Sequence, residues 1–297
     1  MSATTIQVAF HLIDYLLHRP LEQSMRSTRV KLFTTIAASL MLLGTAGTAV
    51  AQTMKQGVLT VGSDQTNAPY SYRDQNGQAA GFDAELSKAL ATQLHLKVDV
   101  VDTRFENLIL GINSNKFDLI ASSLFVKPER AKLIDFIPYA KTGVSIAVRK
   151  DDTFAPEDFT GLCGKRVSSI TGAAWIGDLQ KISDQQCGKR GAIDVRLFPT
   201  GPEATQALLA HGVDAQVDDA AVLNSAVEHT QRIRISTHTP LLPIVLGLGL
   251  KKNNTALKSE LETALSQLRA NGQYQALLKR YNLAEPTDGE FKAAAGL

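Results

Sequence analysis

The alternation of short apolar runs with longer amphipathic segments constrains the fold of this chain more than any other feature of its sequence. Val58–Gly62 and Asp118–Ala121 are short apolar runs of the kind that form buried strands. Asp83–Leu94 repeats leucine at every fourth position, which is the spacing of an amphipathic helix. Similar elements alternate as far as Tyr281, and we expect the tail Glu285–Leu297 to be loose. This order predicts an α/β fold with mostly parallel sheets flanked by helices.

The pattern runs through two successive units, which predicts two lobes. We expect the first lobe to combine residues 52–143 with residues 246–297, and the second lobe to hold residues 144–245. Two crossing strands, near Lys141–Ser145 and Leu242–Leu246, would join the lobes as a hinge.

Ligands of doubly wound sheets bind in the crevice beyond the carboxyl ends of the strands. The predicted strands here end at Gly62, Ala121, Ile170 and Val217. We therefore expect a binding site in the loops that follow these four residues.

The N-terminal region has the three parts of a secretory signal peptide. The basic segment Met25–Lys31 precedes the apolar run Leu32–Gly44 and the small-x-small sequence Ala49–Ala51. This order predicts a signal peptide at residues 25–51 and a periplasmic protein. A membrane anchor is the alternative, but the apolar run is short for a bilayer span. Residues 1–24 do not fit a signal peptide, and we expect them to be a non-native upstream extension.

Charge excludes several classes of partner. The chain has 31 Lys and Arg against 29 Asp and Glu. Without residues 1–51, acidic and basic residues are equal in number, and no basic run remains. A neutral chain with interspersed charges does not indicate nucleic-acid or membrane-surface binding.

The two cysteines, Cys163 and Cys187, both follow the signal peptide. An exported chain meets an oxidising compartment, so we expect a disulfide between them. Two unpaired buried thiols are the alternative. A metal site is less favoured, because no Cys-x-x-Cys pair or nearby histidine accompanies them.

Catalytic and cofactor motifs are missing from the sequence. It contains no Gly-x-Ser-x-Gly, His-Glu-x-x-His, phosphate-binding loop or calcium loop. Gly247–Gly249 lacks the third glycine of a dinucleotide fingerprint. We therefore expect no cofactor, no metal and no catalytic residue.

An ordered series of short motifs resembles the polar amino-acid-binding proteins of ABC importers, which are bacterial extracellular solute-binding proteins of family 3. The likeness covers essentially all of residues 55–284. The motifs are Gly81–Leu86, Phe105–Ile109, Asp118–Ser123, Pro128–Arg130, Ile134–Phe136, Gly164–Val167 with Gly172, Val213–Ala215 with Asp219, and Asn271–Tyr274 with Lys279–Tyr281. The resemblance implies a two-lobed, type II periplasmic-binding-protein-like fold. It also implies a monomer that captures a polar amino acid or a derivative and presents it to an ABC permease in the inner membrane.

The resemblance assigns roles to individual residues. A buried zwitterion needs a partner for each charge, and Arg130 matches the arginine that grips the carboxylate, while Asp219 matches the acid that binds the ammonium. The remaining matched positions are Ser122 and Ser123 beside the carboxylate, Asp64 at the ligand side chain, Phe105 on the pocket wall, and the closing loop Gly172, Ala173, Ala174 and Trp175.

The sequence departs from the family pattern at several of these positions. Relatives often have an aromatic residue at Asn67, and a threonine or serine at Phe125. Ala173, Ala174 and Trp175 replace a loop that is usually polar. We therefore expect the family's contacts with the ligand carboxylate and ammonium, but the resemblance does not identify the ligand.

Each assignment has a structural alternative. Arg130 could simply pair with Asp135 at the surface, and Asp219 could cap the following helix. Asp64 could form an Asx turn, the serines could be ordinary turn residues, and Phe105 could be a core residue. The same scaffold leaves two other functions open: a dehydratase of prephenate-like compounds, and the sensor part of a receptor.

Overall fold

The computed structural model of the chain describes residues 53–297. The predicted extension at residues 1–24 and the predicted signal peptide at residues 25–51 lie outside the described residues. Within residues 53–297, no helix combines the length and the apolar character that a membrane crossing requires.

The first part of the described chain leads into a long strand. Its elements are β1 (Val58–Ser63), β2 (Thr66–Asn67), β3 (Ser71–Arg73), β4 (Ala79–Ala80), α1 (Phe82–Gln93), β5 (Lys97–Asp102), α2 (Leu108–Asn113), β6 (Leu119–Ile120), α3 (Pro128–Ala131) and the long strand β7 (Ile134–Arg149).

The second part returns to the first through another long strand. Its elements are β8 (Arg166–Ile170), α4 (Ile176–Gln186), β9 (Asp194–Phe198), α5 (Gly201–Leu209), β10 (Ala215–Asp219), α6 (Ala220–Thr230), β11 (Ile233–Ile235), β12 (Leu241–Lys251), α7 (Thr255–Ala270), α8 (Gln273–Arg280) and α9 (Asp288–Ala295). Short 3-10 turns occur at Phe105–Asn107, Phe159–Leu162 and Gly188–Arg190.

One sheet contains the strands of both parts, in the order β5-β1-β6-β12-β7-β10-β8-β9, with β11 paired to β7. Strand β1 is parallel to β5 and β6, and β8 is parallel to β9 and β10. The two long strands β7 and β12 are antiparallel to each other between these parallel groups. The predicted α/β class, with two mostly parallel groups joined by crossing strands, is confirmed.

The predicted hinge segments pair directly within the two long strands. Lys141 lies opposite Val245, and Thr142 lies opposite Ile244. The register shifts next to Leu242, whose φ of 48° is unusual for a leucine. The division of the chain into lobes at residues 143/144 and 245/246 stays a prediction. The two predicted parts are called the first lobe and the second lobe.

Helix α1 shows how the sequence pattern produces the core. Phe82, Leu86 and Leu90 share one face and have no exposed surface. Burying each of these side chains stabilises the fold by roughly 2 kcal/mol relative to leaving it in water. The repeat of leucine at every fourth position therefore fixes which face of α1 packs on the sheet.

The expectation of a loose tail is wrong. Thr287 and Glu290 form a reciprocal capping box that begins helix α9. Lys141 Nζ donates to Glu290 Oε1 at 2.8 Å, and Ala295 is buried. Helix α9 thus packs over the start of the hinge, because a well-capped helix with one small apolar face can bury that face.

The expected disulfide is present between Cys163 and Cys187, whose Cα atoms are 5.2 Å apart. It joins the turn before β8 to the end of α4. The bond closes a loop with a sequence separation of 24 residues, and it leaves no free cysteine among residues 53–297.

Candidate functional site

A small pocket lies where loops from the first and second lobes meet. Its walls are Asn67, Phe105, Ser123 and Phe125 from the first lobe, and Ile170, Ala173, Ala174, Trp175, Asp218 and Asp219 from the second. The open space is about 20 Å³, which is enough for about one water molecule. An amino acid can enter only if these walls move apart.

The pocket lies at the predicted edge of the sheet. Strand β8 ends at Ile170 and strand β10 ends at Asp219, and both residues line it. The predicted residues that do not line it are Asp64, Ser122, Arg130 and Gly172.

Arg130 lies beside the pocket and bridges the two lobes. Its Nη1 donates to the carbonyl of Phe125 at 2.9 Å, and its Nη2 donates to the carbonyl of Gly172 at 2.8 Å. The guanidinium also lies over the ring of Phe105, 5.5 Å from its centroid. Burial lowers the pKa of Arg130 to about 10, so the guanidinium stays charged at neutral pH.

The surface pair proposed as the alternative for Arg130 does not form. Asp135 pairs instead with Lys252 at 3.0 Å and accepts a hydrogen bond from the backbone of Asn253. Arg130 therefore faces the second lobe rather than its neighbour in sequence.

Asp219 is a buried carboxylate in the pocket wall. Its Oδ1 accepts hydrogen bonds from the backbone N–H groups of Ala221 and Val222, which caps helix α6. The hydroxyl of Tyr70, in the first lobe, donates to the same oxygen at 3.2 Å. Burial raises the pKa of Asp219 to about 6 despite these donors. Asp219 therefore both caps helix α6 and lines the pocket.

Asp218, which is not among the residues predicted from the sequence, also lines the pocket. Its Oδ1 accepts from the backbone of Asp219 at 2.8 Å. Burial raises the pKa of Asp218 to about 7. The sequence signal that could have identified Asp218 is its position next to Asp219 at the end of a predicted strand.

Aromatic side chains form the apolar walls. The rings of Phe125 and Trp175 are 5.3 Å apart between centroids. Trp175 Nε1 donates to Ser169 Oγ at 2.8 Å, and the indole is buried. This hydrogen bond satisfies the only polar atom of the indole and fixes the ring against the pocket.

Asp64 and Ser122 lie outside the pocket lining and support it through hydrogen bonds. Asp64 accepts from the backbone N–H groups of Thr66 at 3.1 Å and Phe105 at 2.9 Å, and it pairs with Arg104 at 3.2 Å. Ser122 Oγ accepts from the backbone of Asp64 at 3.0 Å. The Asx-turn alternative for Asp64 is therefore observed, and these contacts position Phe105.

Ser123 lies in the wall with a strained backbone, at φ 41°. Asn67 Nδ2 donates to Ser123 Oγ at 2.7 Å, and the backbone N–H of Ser123 donates to the buried Asp83. Burial raises the pKa of Asp83 to about 7. The strained turn is thus held by two side chains of the first lobe.

Lys127 makes a second contact between the lobes that the sequence reasoning missed. Its Nζ donates to the carbonyl of Ala174 and lies 3.3 Å from Asp178 Oδ2. Lys127 directly precedes α3, which contains Arg130. Both cations therefore hold the loop at residues 172–174 of the second lobe.

A larger cavity of about 810 Å³ lies along the hinge strands. None of the predicted site residues lines it. Its charged residues Lys141 and Glu290 pair with each other, and Arg280 pairs with Glu85. The smaller pocket, with its buried carboxylates, is the better candidate site. Residues 53–297 contain no cluster of side chains suited to a metal ion.

The fold is that of a two-lobed protein with a small pocket at the strand ends of both parts. The chain belongs to the bacterial extracellular solute-binding proteins, family 3, whose family model matches residues 59–284.

Known proteins of similar sequence and structure support this assignment. The L-cystine-binding protein TcyJ of Escherichia coli K12 is 24% identical over 234 residues, covering 78% of this chain and 85% of that protein. An ancestral arginine-binding protein bound to arginine superposes with a TM-score of 0.70 at 29% identity, covering 76% of this chain and 98% of that one. The ancestral amino acid-binding protein AncCDT-1, a precursor of cyclohexadienyl dehydratase, gives a TM-score of 0.66 at 28% identity, covering 76% and 95%.

Proposed function

We propose that this protein captures a polar amino acid or an amino-acid derivative outside the cytoplasm and delivers it to an ABC importer. The observation that carries the proposal is the arrangement around the pocket. A guanidinium, Arg130, approaches from the first lobe, and a buried carboxylate, Asp219, lines the wall from the second. These groups match the two charges of an α-amino acid.

The contacts of Arg130 support a gripping role. Its Nη2 donates to the carbonyl of Gly172 in the closed arrangement of the pocket described here. When the walls separate, that N–H is released, and a ligand carboxylate can replace the carbonyl oxygen. A carboxylate is the stronger acceptor, because the hydrogen bond is then charge-assisted on both sides.

The contacts of Asp219 support the complementary role. Its Oδ1 already accepts three hydrogen bonds, whereas the Oδ2 contact with Tyr70 is long, at 3.4 Å. The Thr142 hydroxyl also lies close enough to the carboxylate to lower its pKa. A carboxylate oxygen with spare lone pairs suits an ammonium group.

Hinge motion supplies access. The pocket has room for about one water molecule, and the two antiparallel strands β7 and β12 connect its halves. Rotation about Lys141–Ser145 and Leu242–Leu246 would open it. The closed form is then the one that a permease recognises.

The family and its relatives support the location and the partner. Family 3 proteins are extracellular solute-binding proteins, and the relatives described above bind amino acids. A signal peptide at residues 25–51 would direct the chain to the periplasm. We further propose that the protein acts as a monomer and catalyses no reaction.

Titration calorimetry of the purified protein against a panel of amino acids tests the proposal. We expect at least one polar amino acid or derivative to bind, and mass spectrometry of the molecule that co-purifies should give the same answer. Turnover of prephenate or arogenate to an aromatic product would show an enzyme instead. Absence of binding by any amino acid or derivative would remove the proposal.

A further inference from the structure

We propose that Asp218 is a second ligand-binding carboxylate, and that the pocket selects an amino acid with a cationic side chain over its uncharged counterpart. The inference rests on the proposed function and names the class of ligand within it.

The charge balance of the site is the first argument. The side chains that line the pocket include two carboxylates, Asp218 and Asp219, and no lysine, arginine or histidine. A zwitterion would use Arg130 for its carboxylate and Asp219 for its ammonium, which leaves Asp218 uncompensated. An ionised carboxylate buried without a cation is costly. A ligand with one additional positive charge neutralises the site.

The coordination of Asp218 is the second argument. Its Oδ1 accepts from the backbone of Asp219, but its Oδ2 has only a 3.4 Å contact with Gln216 Nε2. That distance exceeds the usual range of an N–H···O hydrogen bond. Within residues 53–297, no cationic side chain pairs with either carboxylate. The oxygen therefore has capacity for a ligand ammonium or guanidinium.

The walls of the pocket are the third argument. Phe125 and Trp175 line the pocket with aromatic rings, whereas one face of Phe105 already lies under Arg130. Such faces pack against the methylene groups of a long side chain and attract its cationic end. A basic amino acid presents both features, whereas a short polar one presents neither.

A structural role for Asp218 is the competing explanation. A Cβ on Gly201, at the start of α5, would lie 3.7 Å from Asp218 Oδ2, so the carboxylate lies near a helix N-terminus. In that case the replacement Asp218→Asn would change stability but not the choice between ligands.

Matched ligand pairs separate these explanations. Arginine and citrulline have nearly the same shape and differ in side-chain charge, and lysine and norleucine form a second pair. We expect the wild-type protein to bind the charged member of a pair more tightly by about tenfold or more. In Asp218→Asn that ratio should fall close to one, mainly because the charged ligand binds more weakly. The control Asp194→Asn removes one charge from an exposed position of the same lobe and should keep the ratio.

The pH dependence of the ratio gives a second measurement on the unaltered protein. Protonation of Asp218 should lower the arginine-to-citrulline affinity ratio as the pH falls from 8 to 5. Asp219, Asp83 and Tyr70 are the other titratable groups near the pocket, and the same pH series on Asp218→Asn shows how much of the change they cause.

The outcomes distinguish this inference from the proposed function. Equal affinity for both members of each pair, or a ratio unchanged in Asp218→Asn, overturns the role of Asp218 while amino-acid binding stands. If no amino acid binds at all, the proposed function fails and the inference fails with it.

Discussion

Tyr70 Oη donates to Asp219 Oδ1 at 3.2 Å, and this hydrogen bond connects the first lobe to the second. Both residues are buried. Burial and the charge of Asp219 raise the pKa of Tyr70 well above its usual value, so the hydroxyl stays a donor. The carboxylate that we assign to the ligand ammonium therefore also takes part in a contact between the two predicted lobes.

Replacing Asp219 by asparagine should weaken ligand binding with little loss of stability. Asparagine is as good an N-cap as aspartate, but it cannot neutralise an ammonium group. We expect the affinity for the cognate ligand to fall by roughly 10- to 100-fold, the value of a charge-assisted hydrogen bond. Calorimetry measures the affinity, and thermal melting measures the stability.

The matched control for this substitution is Asp158→Asn. Asp158 also caps a helical turn, through Thr160 and Gly161, but lies outside the pocket. Equal affinities for wild type and Asp219→Asn would contradict the assigned role.

Arg130→Ala should reduce the affinity for the ligand by a similar factor, because the carboxylate loses its cationic partner. Arg130→Lys should recover part of the loss, since lysine keeps the charge but not the paired N–H groups. Arg190→Ala is a suitable control, because Arg190 also donates to two backbone carbonyls but does not line the pocket. A ligand that binds Arg130→Ala as tightly as wild type would refute this role.

Trp175 should report ligand binding through its fluorescence. It is the single tryptophan of the chain, and its indole forms part of the pocket wall. Opening and closing of the lobes changes the polarity around the ring, so ligand titration should shift the emission. The shift should be half-maximal at the dissociation constant from calorimetry, and it should need a higher ligand concentration in Asp219→Asn. A constant emission at saturating ligand would count against movement of this wall.

Replacing Cys163 and Cys187 by serine should lower stability and leave affinity unchanged. On the chain-entropy model the disulfide contributes about 3–4 kcal/mol for a loop of this size. Neither cysteine lines the pocket. Denaturant unfolding with and without a reductant measures the effect, and reductant should destabilise the wild type but not the double variant. Calorimetry checks the affinity.

The ligand-free protein should become less stable as the pH rises from 5 to 8. Burial raises the pKa of Asp83 and Asp218 to about 7 and that of Asp219 to about 6, from 3.8. Between pH 5 and 8 these three carboxyl groups are already ionised in the unfolded chain, whereas in the folded protein they still bind protons. Folding is therefore favoured at the low end of this range, and this stability is lost as the folded carboxyl groups ionise. For a group whose pKa is raised to about 7, the loss between pH 5 and 8 is roughly 2–3 kcal/mol.

Chemical denaturation at several pH values measures this slope. Asp83→Asn should flatten it, because one of the three carboxyls is then removed. Lys141 and the Thr287 donors lower the pKa of Glu290 to about 2. Ionisation of Glu290 therefore increases stability with rising pH, but mainly below pH 5, outside the range measured here. A stability that rises from pH 5 to 8 would contradict the prediction.

Local sequence patterns determined most of the secondary structure and the edge of the sheet that forms the site. Leucine at every fourth position predicted α1, and the ends of β8 and β10 predicted where Trp175 and Asp219 would lie. These features follow from hydrophobic periodicity, which acts over a few residues, and from the rule that ligands bind beyond the carboxyl ends of parallel strands. The tail was the exception, although the capping box at Thr287 was visible in the sequence.

Tertiary structure alone decided which polar groups are used inside the protein and which remain for a ligand. Asp64 is satisfied by Thr66, Phe105 and Arg104, whereas Asp218 and Asp219 have spare oxygens in the pocket. No local pattern separates these aspartates, because hydrogen-bond partners and burial depend on segments that lie far apart in the chain.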